Sequence, residues 1–209
     1  MYCTILRLRG DPAKTEKGIE LWSREILPAL KEQPGFVGAT LTGNRQSDVV
    51  LSVSYWETEK AMKDGKARVR PNAMKSMAEL GTSIVEEDEC EVAVMERFQP
   101  PKAGAWGRLT SVQADPAHVE QGVTNFKTKI VPVLQRQHGA RAAFSFVNRQ
   151  TGKTFAGSLW ETEQDLRASE AAIADLRTDA IKQIGGREAK TEVVEIYYTE
   201  ILAPAVTGH

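Results

Sequence analysis

The chain has 209 residues, 41% of them apolar and 26% charged, with a formal net charge of −1. That length and composition fit a globular chain of two modest domains, and the near-zero charge excludes the electrostatic footprint of a nucleic-acid or anionic-membrane binder. No run approaches the ~18 apolar residues of a membrane span. The opening MYCTILRLRGDP reads as a first strand and not as a leader, and two cysteines, Cys3 and Cys90, make no disulfide framework and suit a reducing cytoplasm.

In chain order, residues 2–9 are a β-favouring run closed by Gly10-Asp11-Pro12, a helix-start signal. Residues 13–33 carry Ile19, Trp22, Ile26 and Leu30 at helical spacing, and Pro28 inside this stretch should bend or end the helix. Pro34-Gly35 closes it. Residues 36–43 and 49–56 are strands around the turn at 44–48. Thr58 caps a second helix that runs to Gly81, and Arg70-Pro71 is expected to break it. A last strand covers residues 84–98.

The whole series then recurs. Trp56-Glu57-Thr58-Glu59 returns as Trp160-Glu161-Thr162-Glu163, Asn44-Arg45-Gln46 as Asn148-Arg149-Gln150, and Asp11-Pro12-Ala13 as Asp115-Pro116-Ala117. The shift of 104 residues holds without a gap from Asp11/Asp115 to Glu96/Glu200, with roughly twenty identical pairs. The second helical stripe is Val123, Phe126, Ile130 and Leu134, again with an internal proline, Pro132. A period near 100 means two copies of one small domain. Residues 1–98 form the first repeat, 99–104 a stiff Pro-rich linker, and 105–209 the second, whose last strand covers 191–202.

Strand, helix, strand, strand, helix, strand is the ferredoxin-like α+β unit, with helices on one sheet face. The other face is apolar too: Leu51, Val53 and Tyr55 alternate with Ser52, Ser54 and Trp56. A sheet apolar on both faces needs a second cover, and the sheet of the other repeat supplies it. The expected architecture is an intramolecular pseudo-dimer closed as one barrel.

A helix bearing ILPALKEQPGF, a hairpin, and a strand ending in YWET or LWET before a second helix resembles the antibiotic biosynthesis monooxygenase superfamily, the dimeric α/β barrels. The resemblance covers the chain once per repeat. It implies a ferredoxin-like barrel and a range of activities from cofactor-free oxygenation to heme degradation. The heme-degrading members use an Asn on the first strand, with a Trp and a His on the second helix; residues 2–9, 106–114, 58–81 and 162–185 supply none of these. The protein is therefore expected to be colourless and to bind no heme. The cofactor-free oxygenases match at Trp56 and Trp160. They carry an Asn where this chain has Ser52 and Ala156, and a Tyr where it has Met62 and Leu166.

The candidate ligand-binding residues are the aromatic pairs Trp22 with Trp56 and Phe126 with Trp160. The small polar Ser52, Ser54 and Ser158 lie beside them, and Arg7 is a possible anion anchor on a central strand. Each has a plainer reading as core packing or as a salt bridge, with Glu96 and Glu200 as natural partners for strand arginines. Arg108 raises the same question as Arg7. No catalytic residue is assigned. His118, His138 and His209 neither recur nor stand at ligand spacing, so no metal and no cofactor are expected. Lys66, Arg68 and Arg70 read as a solvated basic face. The first half, with Pro71 breaking its second helix, should hold the larger cavity, between Trp22, Trp56 and the segment around Pro71. The second helix of the other half should run unbroken over residues 162–184. Two functions follow: a cofactor-free monooxygenase acting on a small aromatic substrate, or a non-catalytic small-ligand-binding or structural module of the same fold. The expected partner is a small apolar or aromatic molecule, with no nucleic acid and no membrane.

Overall fold

A computed structural model describes residues 1–100 and 102–201. Pro101 in the linker, Leu202 at the expected end of the last strand, and His209 lie outside the described residues. The first repeat runs β1 (Tyr2–Arg9), α1 (Thr15–Leu21), α2 (Leu27–Lys31), β2 (Phe36–Gly43), β3 (Val49–Trp56), α3 (Glu59–Leu80) and β4 (Ser83–Arg97). The second runs β5 (Trp106–Gln113), α4 (Val119–Asn125), α5 (Val131–Gln135), β6 (Ala140–Val147), β7 (Lys153–Trp160), α6 (Glu163–Ala168), α7 (Glu170–Gln183) and β8 (Arg187–Ile201). The strands follow the order β1-β3-β2-β8-β5-β7-β6-β4 in a closed barrel, the α+β architecture of two fused ferredoxin-like repeats. Two compact units emerge, Met1–Cys90 with the segment from Ile196, and Glu91–Glu195.

The repeats match down to their irregularities. Tyr2 stands opposite Trp56 and Trp106 opposite Trp160. The hairpin ladder shifts register between Phe36 and Gly38, and again between Ala140 and Ala142. Asp11 and Asp115 each accept a backbone N–H two residues on, at 2.9 Å, and so open the first helix of each copy.

The prolines inside that helix neither end it nor stop it early. Each is preceded by one π-helical turn, Trp22–Ile26 and Phe126–Ile130, and the helix resumes as α2 or α5 with proline in its first turn. A proline has no N–H for the fourth carbonyl back, and its ring presses on that carbonyl. Widening the turn lets Leu27 and Val131 bond the fifth carbonyl back, that of Trp22 and of Phe126. This is the π-bulge answer to a break in the ladder. Both bulges start at the aromatic residue that faces the sheet.

The second helix reverses the sequence expectation. The copy with Pro71 is continuous over 22 residues, while the copy without a proline breaks at Ser169 into α6 and α7. Pro71 lies on an exposed face of α3, where water can serve the carbonyl it leaves unpaired. The break has a packing cause. Gly65, at the place of Ser169, sits on the fully buried ring of Trp56, and a Cβ there would lie 2.2 Å from ring carbon Cη2. Only glycine lets the helix lie that close. At the counterpart Ser169, which carries a side chain, the helix is interrupted.

The core of each unit lies between helices and sheet: Trp22, Ile26, Leu30, Trp56, Met62 and Val69 in one, Phe126, Ile130, Leu134, Trp160, Leu166 and Ile173 in the other. These are the same positions, displaced by the repeat.

The Gly65 contact makes a direct prediction. Gly65→Ala should destabilise the protein by about 1–3 kcal/mol, the usual penalty of overpacking, despite alanine's higher helix propensity. A urea titration followed by circular dichroism reads this, and an unchanged or raised midpoint would contradict it.

Candidate functional site

Each repeat holds one cleft between its first helix, its second helix and the sheet. The first has a volume of about 110 Å³, the second about 90 Å³. Leu6 and Leu8 of β1, Val50 and Ser52 of β3, Trp22 and Ile26 of the π-turn, and Ala73, Ser76 and Met77 of α3 wall the first. Exposed Asp11, Pro12 and Asp48 mark its rim. In the second the matching positions are Thr110, Val112, Thr154, Ala156, Phe126, Ile130, Arg177, Ala180 and Ile181.

The sequence candidates divide between lining and support. Trp22 and Ser52 meet in the first cleft, where the Trp22 indole N–H donates to Ser52 Oγ at 3.1 Å. Phe126 and Ser158 line the second. Trp56 and Trp160 line neither: both are 0% exposed, and each indole donates to the serine two residues back, Ser54 at 3.0 Å and Ser158 at 2.9 Å. Arg7 stands between Leu6 and Leu8 on the strand, so the pleat turns it away from the cleft. Its Nε donates to Glu86 Oε2 at 3.2 Å. Glu200 pairs with Lys31 at 2.8 Å and accepts from the Tyr198 hydroxyl, so it is no partner reserved for a strand arginine. The larger cleft is in the first half, as its sequence suggests, but it runs from Trp22 to Ser76 and Met77, past neither Trp56 nor Pro71. Lys66 and Arg70 are tied to Glu87.

Behind the Trp22 wall, the Tyr198 ring lies 5.3 Å from the indole at a tilt of 58°. Burial and the bond to Glu200 push the Tyr198 phenol up to about 12, so it stays protonated at neutral pH. At the other wall, Ser76 donates to Glu25 Oε2 at 2.8 Å. That bond, then Arg24, holds the Glu25 carboxyl below its ordinary range, leaving an anion behind a hydroxyl that faces the cleft.

The second cleft is built differently at one end. Arg108 on β5 is 5% exposed, and burial pushes its guanidinium below its usual value. It donates to the Leu166 carbonyl at 2.6 Å, which also accepts from the Ser169 hydroxyl at 2.6 Å, and to Ser169 Oγ at 3.1 Å, and it reaches Glu170 at 3.0 Å. Arg177 binds the same Glu170. In the first repeat Thr4 and Ala73 hold the places of the two arginines. The periodicity of the helix marks Arg177 only as one position on a face. The signal that would have found it is its exchange for Ala73 across the repeat.

Among the described residues no three His, Cys, Asp or Glu side chains converge as a metal site, and no helix is long and apolar enough to cross a membrane.

Residues 1–65 match the sequence model of the antibiotic biosynthesis monooxygenase family. The match lies within the first repeat, which is thus similar to a domain of that family. The second repeats the same order of elements. A crystal structure of an anthrone oxidase-like protein superposes with a TM-score of 0.70 at 15% identity, over 97% of this chain and 94% of that one. That likeness carries the fold alone. Two uncharacterized proteins of Mycobacterium tuberculosis, Rv2557 and Rv2558, are 27% and 24% identical over 98% of this chain and 91% and 86% of their own lengths.

The ion pairs of the second cleft fix a titration. The bonds from Arg177, and then the charge of Arg108, hold the Glu170 carboxyl below its ordinary value. A depressed folded pKa stabilises the fold above the unfolded value, and that contribution is lost as pH falls through the folded one. Glu170 is nearly half exposed, so the effect on stability is small. Carboxyl-carbon NMR should place the Glu170 midpoint below that of exposed glutamates, and Arg177→Gln should move it up. A midpoint indifferent to that substitution would count against the pairing.

Proposed function

We propose that this antibiotic biosynthesis monooxygenase-fold protein binds a small, flat, mainly apolar molecule in the helix–sheet cleft of each repeat. The carrying observation is the make-up of the first cleft. An indole, leucine and isoleucine side chains and a methionine form its walls, and Ser52 and Ser76 are its interior polar groups. Apolar walls with a few fixed polar groups suit an aromatic ring bearing one or two hydroxyl or carbonyl groups.

A second reading, cofactor-free monooxygenation of such a molecule, has one specific observation in its favour. Ser76 joins the cleft to the Glu25 carboxylate, a hydroxyl–carboxylate pair of the kind that relays a proton from an acidic carbon or phenol. In this chemistry the substrate supplies the electrons. A ring CH2 flanked by carbonyl-conjugated rings reacts with O2 to give C=O and water, after its proton has left for the relay.

The two readings separate by experiment. Titration with 2-naphthol should quench tryptophan fluorescence and shift the Met77 methyl. Ala73→Leu, which fills the cleft, should weaken binding at least tenfold without lowering the melting temperature. Unchanged binding in that variant would remove the first reading. With anthrone as probe, oxygen uptake above the solution rate, lost in both Ser76→Ala and Glu25→Gln, would establish the oxygenase. Binding without uptake would leave a ligand-binding module.

A further inference from the structure

The clefts share a blueprint and differ in charge, and the difference is confined to one end of the second. Of the side chains that line it, Arg108 and Arg177 are charged and both are cations. In the first repeat the corresponding places are held by Thr4, which does not line the first cleft, and by Ala73, which does. Its own charged lining residues, Asp11, Lys14 and Asp48, belong to the exposed rim.

A buried arginine on a central strand is costly unless its charge is balanced and its donors are used. Arg108 meets part of that need: Nη1 donates to Ser169 Oγ and Nη2 to the Leu166 carbonyl. The balance of charge is incomplete. The carboxylate in reach of Arg108 is Glu170, whose Oε2 lies at 3.0 Å, and Arg177 donates to both oxygens of the same carboxylate. Two guanidinium groups therefore share one carboxylate, leaving one positive charge on the lining of a mainly apolar cleft. Glu170 itself is 46% exposed and stands outside the lining, so both cations present their inner sides to the cleft. Ser158, 4% exposed, lies beside them with its oxygen accepting from Trp160.

We propose that the second cleft is specific for a monoanionic, flat apolar molecule, an aromatic carboxylate, whose charged group seats between Arg108 and Arg177 while its ring lies against Phe126, Ile130 and Ile173. A carboxylate matches this end in charge and in geometry, because a planar two-oxygen group accepts from two guanidinium forks at once. The two repeats thus sort ligands by charge, the first taking neutral molecules and the second their acids. The inference rests on the reading that the clefts bind small flat molecules, and it adds the charge class.

The test compares 2-naphthoate with its neutral isostere 2-naphthamide on the full chain, read by calorimetry and by the methyl signals of Ile173 and Ile181 in the second cleft and of Met77 in the first. Wild type should bind the acid at least tenfold more tightly than the amide at the second-cleft methyls. Arg177→Gln, which leaves Arg108 and Glu170 one to one, should erase that preference and leave the amide unchanged. Glu170→Gln should do the opposite and raise affinity for the acid several-fold; a purely structural ion-pair cluster would lose affinity or show no change. Arg108→Lys, which keeps the charge and removes the fork, should lower the acid affinity with the same melting temperature as wild type, and if it does not fold the two preceding variants decide. Equal affinity of acid and amide, or loss of acid binding in Glu170→Gln, overturns the proposal. If neither compound moves any cleft methyl while the fold is intact, the small-molecule reading itself fails, which is a different result from binding without charge preference.

Discussion

The contact between a helix and the flat ring of a buried tryptophan governs most of what separates the two halves of this chain. Trp56 and Trp160 end equivalent strands, are equally buried, and are pinned by equivalent serines. What lies above them differs by one side chain. Gly65 lets α3 rest on the ring and continue. Ser169 stands at that place in the second copy, and there the ladder parts between α6 and α7. The parted ladder leaves the Leu166 carbonyl in need of a donor inside the protein, a need that buried backbone rarely leaves unmet. Arg108 and the Ser169 hydroxyl both donate to it, the charge of Arg108 attracts Glu170, and Glu170 in turn holds Arg177. A hydroxymethyl group at one helix position thus goes together with a cationic cleft.

The first helix shows the reverse case, a device kept in both copies. Pro28 and Pro132 force a wide turn that begins at Trp22 and Phe126. The turn rotates an aromatic side chain toward the sheet without ending the helix, so the cleft and the core below it share one wall. Irregular backbone is costly unless its surroundings hold it, and here Leu27 and Val131 re-form the bond one residue further back.

Much of this was legible in the sequence, because it rests on patterns that repeat. The shift of 104 residues, the helical stripes and the Trp-Glu-Thr strand ends determine element order and core positions. The failures are local and physical. Pro71 reads as a break, yet it falls on a solvated face of a long helix that tolerates it. Ser169 reads as an ordinary helical residue, and nothing in linear order says that a ring lies under it. Arg7 and Arg108 look alike as strand arginines, but one residue of alternation sends Arg7 away from the first cleft, whereas Arg108 enters the second. Trp56 and Trp160 were legible as important and illegible as to why: burial makes them supports of the clefts, and Trp22 and Phe126 are the aromatic faces a ligand would meet.

The dependence of Arg108 on Ser169 also has a history in it. Placed alone under an unbroken helix, an arginine at position 108 would have met no open carbonyl and would have stood as a bare buried charge. A serine at 169 serves the Leu166 carbonyl with its own hydroxyl, so it can come first and prepare the seat for Arg108. The order of the two steps is therefore set, and once both are taken the serine is not easily lost from beneath the buried arginine. The two halves of the chain therefore sit on opposite sides of a ratchet. Drift by single substitutions does not readily turn the second repeat back into the first, and a duplication that began with two equal copies has become a division that is hard to reverse.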